Sequence, residues 1–244
     1  MELEGKRILI TGANRGLGRA LVLACAEAGA GEVVAGARRP EELETLTTAV
    51  GARAKLTPLR LDVTSDEDES AAAASGRVDV LVNNAGVAVY GGVLKAEIEE
   101  IRHEIEINYL GALRMVRAFA PAMVEHGDGL IVNVASVLGK VSAPALGTYC
   151  ATKAALLSLT QSLRGDLAGS GVRVIAVLPG TIDTDMSRRF GGEKMTAEQA
   201  AREIVEAMRS EKTETPIGEG ARGVFAGLSA DPAGMEKAFA QFRS

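Results

Sequence analysis

Six short runs rich in β-branched residues recur along the chain: RILIT (7–11), EVVAG (32–36), LTPLRLDV (56–63), VDVLVNN (78–84), LIVNVAS (130–136) and VRVIAVL (172–178). Longer segments, mostly alanine-rich and of helical period, separate them. Strands that alternate with helices pair in parallel through crossovers, so this rhythm predicts an α/β fold. Several runs are apolar at consecutive positions rather than at every second one, which suits a doubly wound parallel sheet with helices on both faces. Ligands of such a sheet gather at the carboxyl ends of its strands. No Ser/Pro-rich stretch or long charge run divides the 244 residues, so a single domain over 1–244 is expected, and 47% hydrophobic residues can supply its core. With five Phe, three Tyr and no Trp, Ala, Val, Leu and Ile must fill that core. The acidic segment SDEDESAAAASGR (65–77) departs from the rhythm and predicts a small, exposed helix.

Directly after the first run comes TGANRGLG, in which Gly12, Gly16 and Gly18 lead into an alanine-rich helix. Glycines there let the backbone turn tightly and approach a pyrophosphate, whose charge a helix N-terminus favours. Their spacing, Gly-x3-Gly-x-Gly, differs from the usual dinucleotide fingerprint, but the strand–loop–helix setting makes the expected sheet Rossmann-like. About twenty residues beyond the last glycine, such folds place an acid on the ribose of NAD. Here VVAGARRP puts Ala37 and Arg38 at that point, and Arg15 lies inside the glycine loop. A guanidinium suits a 2′-phosphate. Either arginine alone reads equally as a solvated surface residue; together they favour NADP (NADPH).

The formal charge of −5, with no basic cluster beyond Arg38-Arg39 and Arg188-Arg189, argues against a nucleic-acid partner. No apolar stretch approaches membrane-spanning length and the first apolar run is too short and early for a signal peptide, so a cytoplasmic protein without a membrane partner is expected. Cys25 and Cys150 lack metal-ligand spacing, His103 and His126 lie far apart along one helical segment, and no metal site is expected. Cys150 has no histidine neighbour to activate it and reads as a packing residue.

Tyr149 and Lys153 fall one turn apart in TYCATKAALLSLTQSL (148–163), and Ser136 follows the fifth run. An ammonium on the same side of the helix is expected to lower the phenol from its ordinary pKa of about 10, making a proton donor suited to carbonyl reduction. Ser136 and Tyr149 can both donate to an oxygen that gains negative charge. In EIEEIRHEIEINYLGALRMVRAF (97–119), Asn108 is expected on one buried face with Ile98, Ile101, Ile105, Ala112, Met115 and Phe119. A buried amide there needs partners; a bend in the helix is one way to provide them.

Gly12-x3-Gly16-x-Gly18, Asn83-Asn84-Ala85-Gly86, Asn108, Ser136, Tyr149-x3-Lys153 and Pro179-Gly180 stand in the order and approximate spacing of the short-chain dehydrogenases/reductases. Over about residues 5–190 the chain resembles that family. The resemblance implies hydride transfer between NADPH and a carbonyl or alcohol, with Tyr149 as acid/base, Lys153 also reaching the nicotinamide ribose, Ser136 orienting the carbonyl and Asn108 holding a water of a proton relay. It further implies cofactor contacts from Gly12, Asn14, Arg15, Gly16, Leu17, Gly18 and Arg38, with Asp62 and Val63 at the adenine. Asn84, Ala85 and Gly86 would pass beneath the adenosine side. Pro179, Gly180, Ile182 and Thr184 would receive the carboxamide, beside Tyr149 and Lys153.

Residues 87–93, 137–146 and 184–196 are the expected substrate walls, the last within a substrate loop of about 181–200. Their Val, Leu, Ala and Met content suggests a small, apolar carbonyl or alcohol. The 3-ketoacyl-carrier-protein reductases are close in motif, but the tail at about 213–244 diverges from their typical ending. A cofactor-binding sensor or regulator is a different reading of the same fold, which the four polar residues oppose. An isomerase or dehydratase would carry a further C-terminal substrate domain. Long helices expected at 97–126 and 148–168 offer faces for a homodimer, and Phe239 and Phe242 could join that contact or cover the cleft.

Overall fold

The computed structural model describes residues 1–242. Side-chain alternation within the apolar runs builds two hydrophobic layers at once. Ile8, Ile10, Val33, Val80, Val82, Leu130 and Val132 enter one layer, while Leu9, Val34, Leu81, Ile131 and Val174 enter the other. The strands are β1 (Arg7–Thr11), β2 (Glu32–Ala37), β3 (Lys55–Arg60), β4 (Val80–Asn83), β5 (Gly129–Val134), β6 (Val172–Pro179) and β7 (Glu214–Ile217). They form one parallel sheet in the order β3-β2-β1-β4-β5-β6-β7. Chain order reverses between β1 and β4, which opens the ligand crevice beyond Thr11 and Asn83.

The first layer is closed by α1 (Gly16–Glu27), α2 (Glu44–Val50) and α7 (Ala197–Ser210), where Leu21, Cys25, Ala200, Ile204 and Met208 share one core. The second is closed by α3 (Asp66–Ala74), α5 (Ala112–His126) and α6 (Gly147–Asp166), through Ala72, Met115, Phe119 and Leu163. Each fully buried Leu or Ile contributes about 1.5–3 kcal/mol, so the sheet is a rigid base for the loops at its edge. No helix among the described residues is long and apolar enough to cross a membrane.

Three local differences from the sequence reading have physical causes. β3 stops at Arg60, short of the expected 63, because the Asp62 carboxylate accepts hydrogen bonds from the Thr64 N–H (3.0 Å) and hydroxyl (2.7 Å), turning the chain out of the sheet. The long helix is not uniform: α4 (Ile98–Ile105) passes through a π-helical turn (Glu106–Gly111) into α5. The wider turn changes the phase of the buried face, so Ile98 and Ile105, expected inside, are exposed while Glu104 is buried. The tail from 213 supplies the seventh strand and two helices, α8 (Glu219–Ala230) and α9 (Pro232–Phe239). Its end lies against an expected substrate wall, with the Ala145 N–H donating to the Phe242 carbonyl at 3.0 Å and the Phe239 and Phe242 rings 5.4 Å apart.

Candidate active site

The glycine loop is shaped by close approach. Gly12 has φ +67°, and a Cβ there would sit 3.0 Å from the Ala85 Cα; one on Gly18 would collide with the Gly12 carbonyl. Asn84 braces the turn, its Nδ2 donating to the carbonyls of Thr11 (2.9 Å) and Gly12 (3.3 Å). The Thr11 hydroxyl accepts from the N–H groups of Asn84 and Ala85. Helix α1 then starts at Gly16 with no side-chain cap and no acid in its first turn, and Leu17 and Gly18 follow. Uncapped N–H groups and a bare glycine backbone fit the pyrophosphate of a dinucleotide.

At the end of the crevice expected to take the adenosine, Arg38 is exposed and Val63 buried. Burial opposes the Asp62 charge, but the Thr64 hydrogen bonds outweigh it, with Arg38 and His103 adding to them, and hold the carboxyl below its usual range. Arg15 is not free: it pairs with Asp185 at 3.6 Å. Asn14 donates to Glu42 (2.5 Å), which also pairs with Arg39. This acid, brought to the loop by the short turn after β2, was not foreseen from the sequence.

The reactive groups converge where β5 ends. Ser136 opens a short 3-10 turn, its Oγ accepting from the Leu138 N–H at 3.1 Å, and its hydroxyl lies near enough to the Tyr149 phenol to act on it. Lys153 is 4% exposed, donates to the Val134 carbonyl at 2.8 Å, and places Nζ 5.6 Å from the Tyr149 ring centre. Asn108 sits in the π turn, which presents its amide inward. Its Oδ1 accepts from the Val87 N–H (2.9 Å), and its Nδ2 donates to the Val87 carbonyl (2.9 Å) and the Thr152 hydroxyl (3.0 Å). Thr152 donates in turn to the Tyr149 carbonyl at 2.8 Å. Gly86 borders the same point, since a Cβ there would lie 3.3 Å from Asn108 Oδ1 and 3.7 Å from Lys153 Nζ.

Burial changes the expected titration. The Tyr149 phenol is pushed up, not lowered: desolvation dominates, the nearby Ser136 hydroxyl opposes it, and Cys150, Glu104 and Tyr90 raise it further. Desolvation lowers Lys153 to about 8, against the pull of Glu104. At both groups desolvation outweighs what the neighbouring side chains return. The Cys150 thiol is also pushed up by burial and accepts from the Ala143 N–H, as a packing residue should. Among the described residues no cluster of His, Cys, Asp or Glu could hold a metal ion.

On the far side of the crevice, Pro179 ends β6 and the Gly180 N–H donates to Ile217. Ile182 bridges to Met195, and Thr184 caps a turn through Ser187 while facing Gly16. The expected walls also meet: the Tyr90 hydroxyl donates to the Met186 carbonyl, its ring lies 5.8 Å from Phe190, and Arg189 stands over it at 5.1 Å. Tyr90, Thr152, Glu42 and Glu104 were not singled out from the sequence. The threonine lies within YCATK, and Glu104 lies one turn before Asn108.

The chain is similar to known proteins in both sequence and fold. A family model described as short chain dehydrogenase matches residues 6–194. The 3-oxoacyl-(acyl-carrier-protein) reductase FabG of Thermotoga maritima is 37% identical over 196 residues, covering 78% of this chain and 79% of that protein. A short chain dehydrogenase from Burkholderia cenocepacia, solved in complex with NADP, superposes with a TM-score of 0.90 at 38% identity, covering 98% of this chain and 99% of the other. A 3-ketoacyl-(acyl-carrier-protein) reductase from Brucella melitensis, complexed with NADH, gives a TM-score of 0.81 at 28% identity, covering 90% and 99%.

Proposed function

The chain belongs to the short-chain dehydrogenase/reductase family of oxidoreductases, and on that premise we propose that it is an NADPH-dependent reductase of small, apolar carbonyl compounds. The observation that carries this reading is the convergence of Ser136, Tyr149 and buried Lys153 beside Gly86, at the crevice that the uncapped start of α1 also faces. NADPH supplies, when bound, a hydride with its two electrons, so that a carbonyl carbon is reduced and the nicotinamide oxidised. Tyr149 delivers the balancing proton from its hydroxyl to the carbonyl oxygen, and the C=O double bond becomes a C–OH single bond. Ser136 donates a second hydrogen bond to that oxygen as its negative charge grows. The raised Tyr149 pKa keeps the phenol in its proton-donating form. The ammonium of Lys153, one turn away, stabilises the phenolate left behind and would hold the nicotinamide ribose. Both Nδ2 hydrogens of Asn108 are taken by protein acceptors, so a relay water would use its remaining carbonyl oxygens.

Arg38 and Arg15 would take the 2′-phosphate, with Arg15 leaving Asp185. The Burkholderia relative's complex with NADP supports this reading. Glu42 is the feature that favours NADH, but its contacts to Asn14 and Arg39 leave it committed elsewhere. A screen of NADPH oxidation against ketones, aldehydes, quinones and ketoacyl thioesters tests the assignment: turnover of the first three classes supports it, and turnover confined to carrier-bound ketoacyl groups would make the chain a ketoacyl reductase. We further read the protein as a homodimer through α4 and α5, where Ile98, Ile105 and Val124 are exposed. Light scattering of Ile105→Glu against the parent chain tests it, since a monomeric parent at micromolar concentration excludes a stable interface.

A further inference from the structure

Glu104 has no part in the chemistry above, yet its side chain is wholly buried beside it. A carboxylate out of water costs several kcal/mol unless it is paired. Its Oε1 accepts from the Val89 N–H at 2.7 Å, whereas Oε2 is buried and makes no hydrogen bond of ordinary length among the described residues. Burial raises its carboxyl above the usual range, and the Val89 N–H, the Thr148 hydroxyl and the charge of Lys153 oppose that rise without cancelling it. Helix α4 packs on α6, from which Tyr149, Cys150 and Lys153 all feel this carboxylate; Tyr90, on the adjoining loop, also acts on Tyr149 through space. These are the titratable groups about it. Glu104 also stands four residues before Asn108, so one turn of helix holds both Val87 and Val89 by their backbones.

We propose that Glu104 is a positioning residue for proton transfer, the buried counter-charge that keeps the proton on Lys153 and on Tyr149 while its Oε1 fixes the backbone of the substrate wall at Val89. The inference rests on the reading of Tyr149 as the acid. The sign follows from the charges: a carboxylate attracts the ammonium and repels the phenolate, so it favours the protonated form of both groups. The site therefore stays in its proton-donating form to higher pH than it would without Glu104.

Glu104→Gln keeps an oxygen for the Val89 N–H and removes the charge. Its alkaline limb of kcat/KM for carbonyl reduction is expected to move acid-ward by about one pH unit, the scale of a nearby charge. Glu104→Ala should show the same displacement together with a raised KM, because Val89 loses its acceptor. A purely architectural role gives the Gln variant the parent pH profile, and that result would overturn the proposal. Because the chain has three Tyr and no Trp, a Tyr90→Phe/Tyr109→Phe background lets near-ultraviolet phenolate absorbance follow Tyr149 directly, without any assay of turnover. Adding either neutral substitution, whichever accumulates folded, should lower that titration; an unchanged one overturns the proposal. This readout separates the two claims, since a Tyr149→Phe protein that remained active would remove the acid role while the titration still reported on Glu104.

Discussion

On the floor of the cleft, Asn108 and Lys153 are 1% and 4% exposed, and their polar atoms are bonded to Val87, Thr152 and Val134. On its rim, Arg15 and Asp185 meet at 3.6 Å with side chains 71% and 54% exposed, and Arg38 stands in solvent. Floor groups are arranged before any ligand arrives, and removing one leaves its partner unsatisfied in a low dielectric. Rim charges are screened, and such pairs contribute about 0–1 kcal/mol, so an incoming phosphate can redirect them. Under the proposed function, chemistry belongs to the floor and cofactor selection to the rim.

The most severe way to break that assignment is Tyr149→Phe. Turnover should fall by roughly 10²- to 10⁴-fold, with NADPH binding by fluorescence nearly unchanged. Retention of more than about a tenth of the parent rate in a chemistry-limited assay would place the acid elsewhere.

Lys153→Met probes the floor by stability instead of rate. Burial depresses the Lys153 pKa to about 8 from an ordinary value of 10.5, so below about 8 the native protein carries a desolvated ammonium that the unfolded chain does not. The unfolded chain holds the extra proton between those two values, and that destabilisation is relieved as pH rises through the window. Relative to the parent, the variant should therefore lose ground by up to about 3 kcal/mol as pH rises from about 8 to 10.5, on top of a pH-independent cost of leaving the Val134 carbonyl and Glu104 without this partner. Denaturant midpoints measured across that range check it. A constant difference would mean that packing, not charge, sets the cost of this lysine.

At the rim, Arg38→Asp should shift the ratio of kcat/KM for NADPH over NADH by about tenfold or more, the effect of losing one charge-assisted contact and adding a repulsive carboxylate. Unchanged preference would move selection to Arg15 or Arg39. Asp185→Asn is expected to do least. Unfolding free energy should change by less than about 1 kcal/mol, while NADPH binds slightly tighter because Arg15 is released. A large loss of stability would show that the rim is not as loosely held as its exposure indicates.

What could be read from the sequence follows the same division. The glycine turn and Tyr149/Lys153 are local patterns, fixed by backbone sterics and helical period, and they lie where the motifs put them. Glu104 was not legible, because an acid between Arg102 and Glu106 has the composition of a solvated helix face. The π turn and the packing of α4 on α6 take it inside, and the same turn exposes Ile98 and Ile105. Strand β7 is four residues long and contains Pro216, too weak a pattern to recognise until β6 offers it an edge.

By itself, then, the sequence determined the order of the first six strands and the helices between them, the phosphate-compatible loop after β1, and which side chains could carry proton chemistry, since each depends on residues within a few positions of one another. Only the tertiary structure decided the ionisation of that chemistry. Tyr149 is raised and Lys153 lowered because the walls of the cleft desolvate both, Lys153 almost wholly and Tyr149 in part, and Glu104 reaches them across a helix contact. Desolvation and through-space charge depend on every element packed around a group, which no local pattern records.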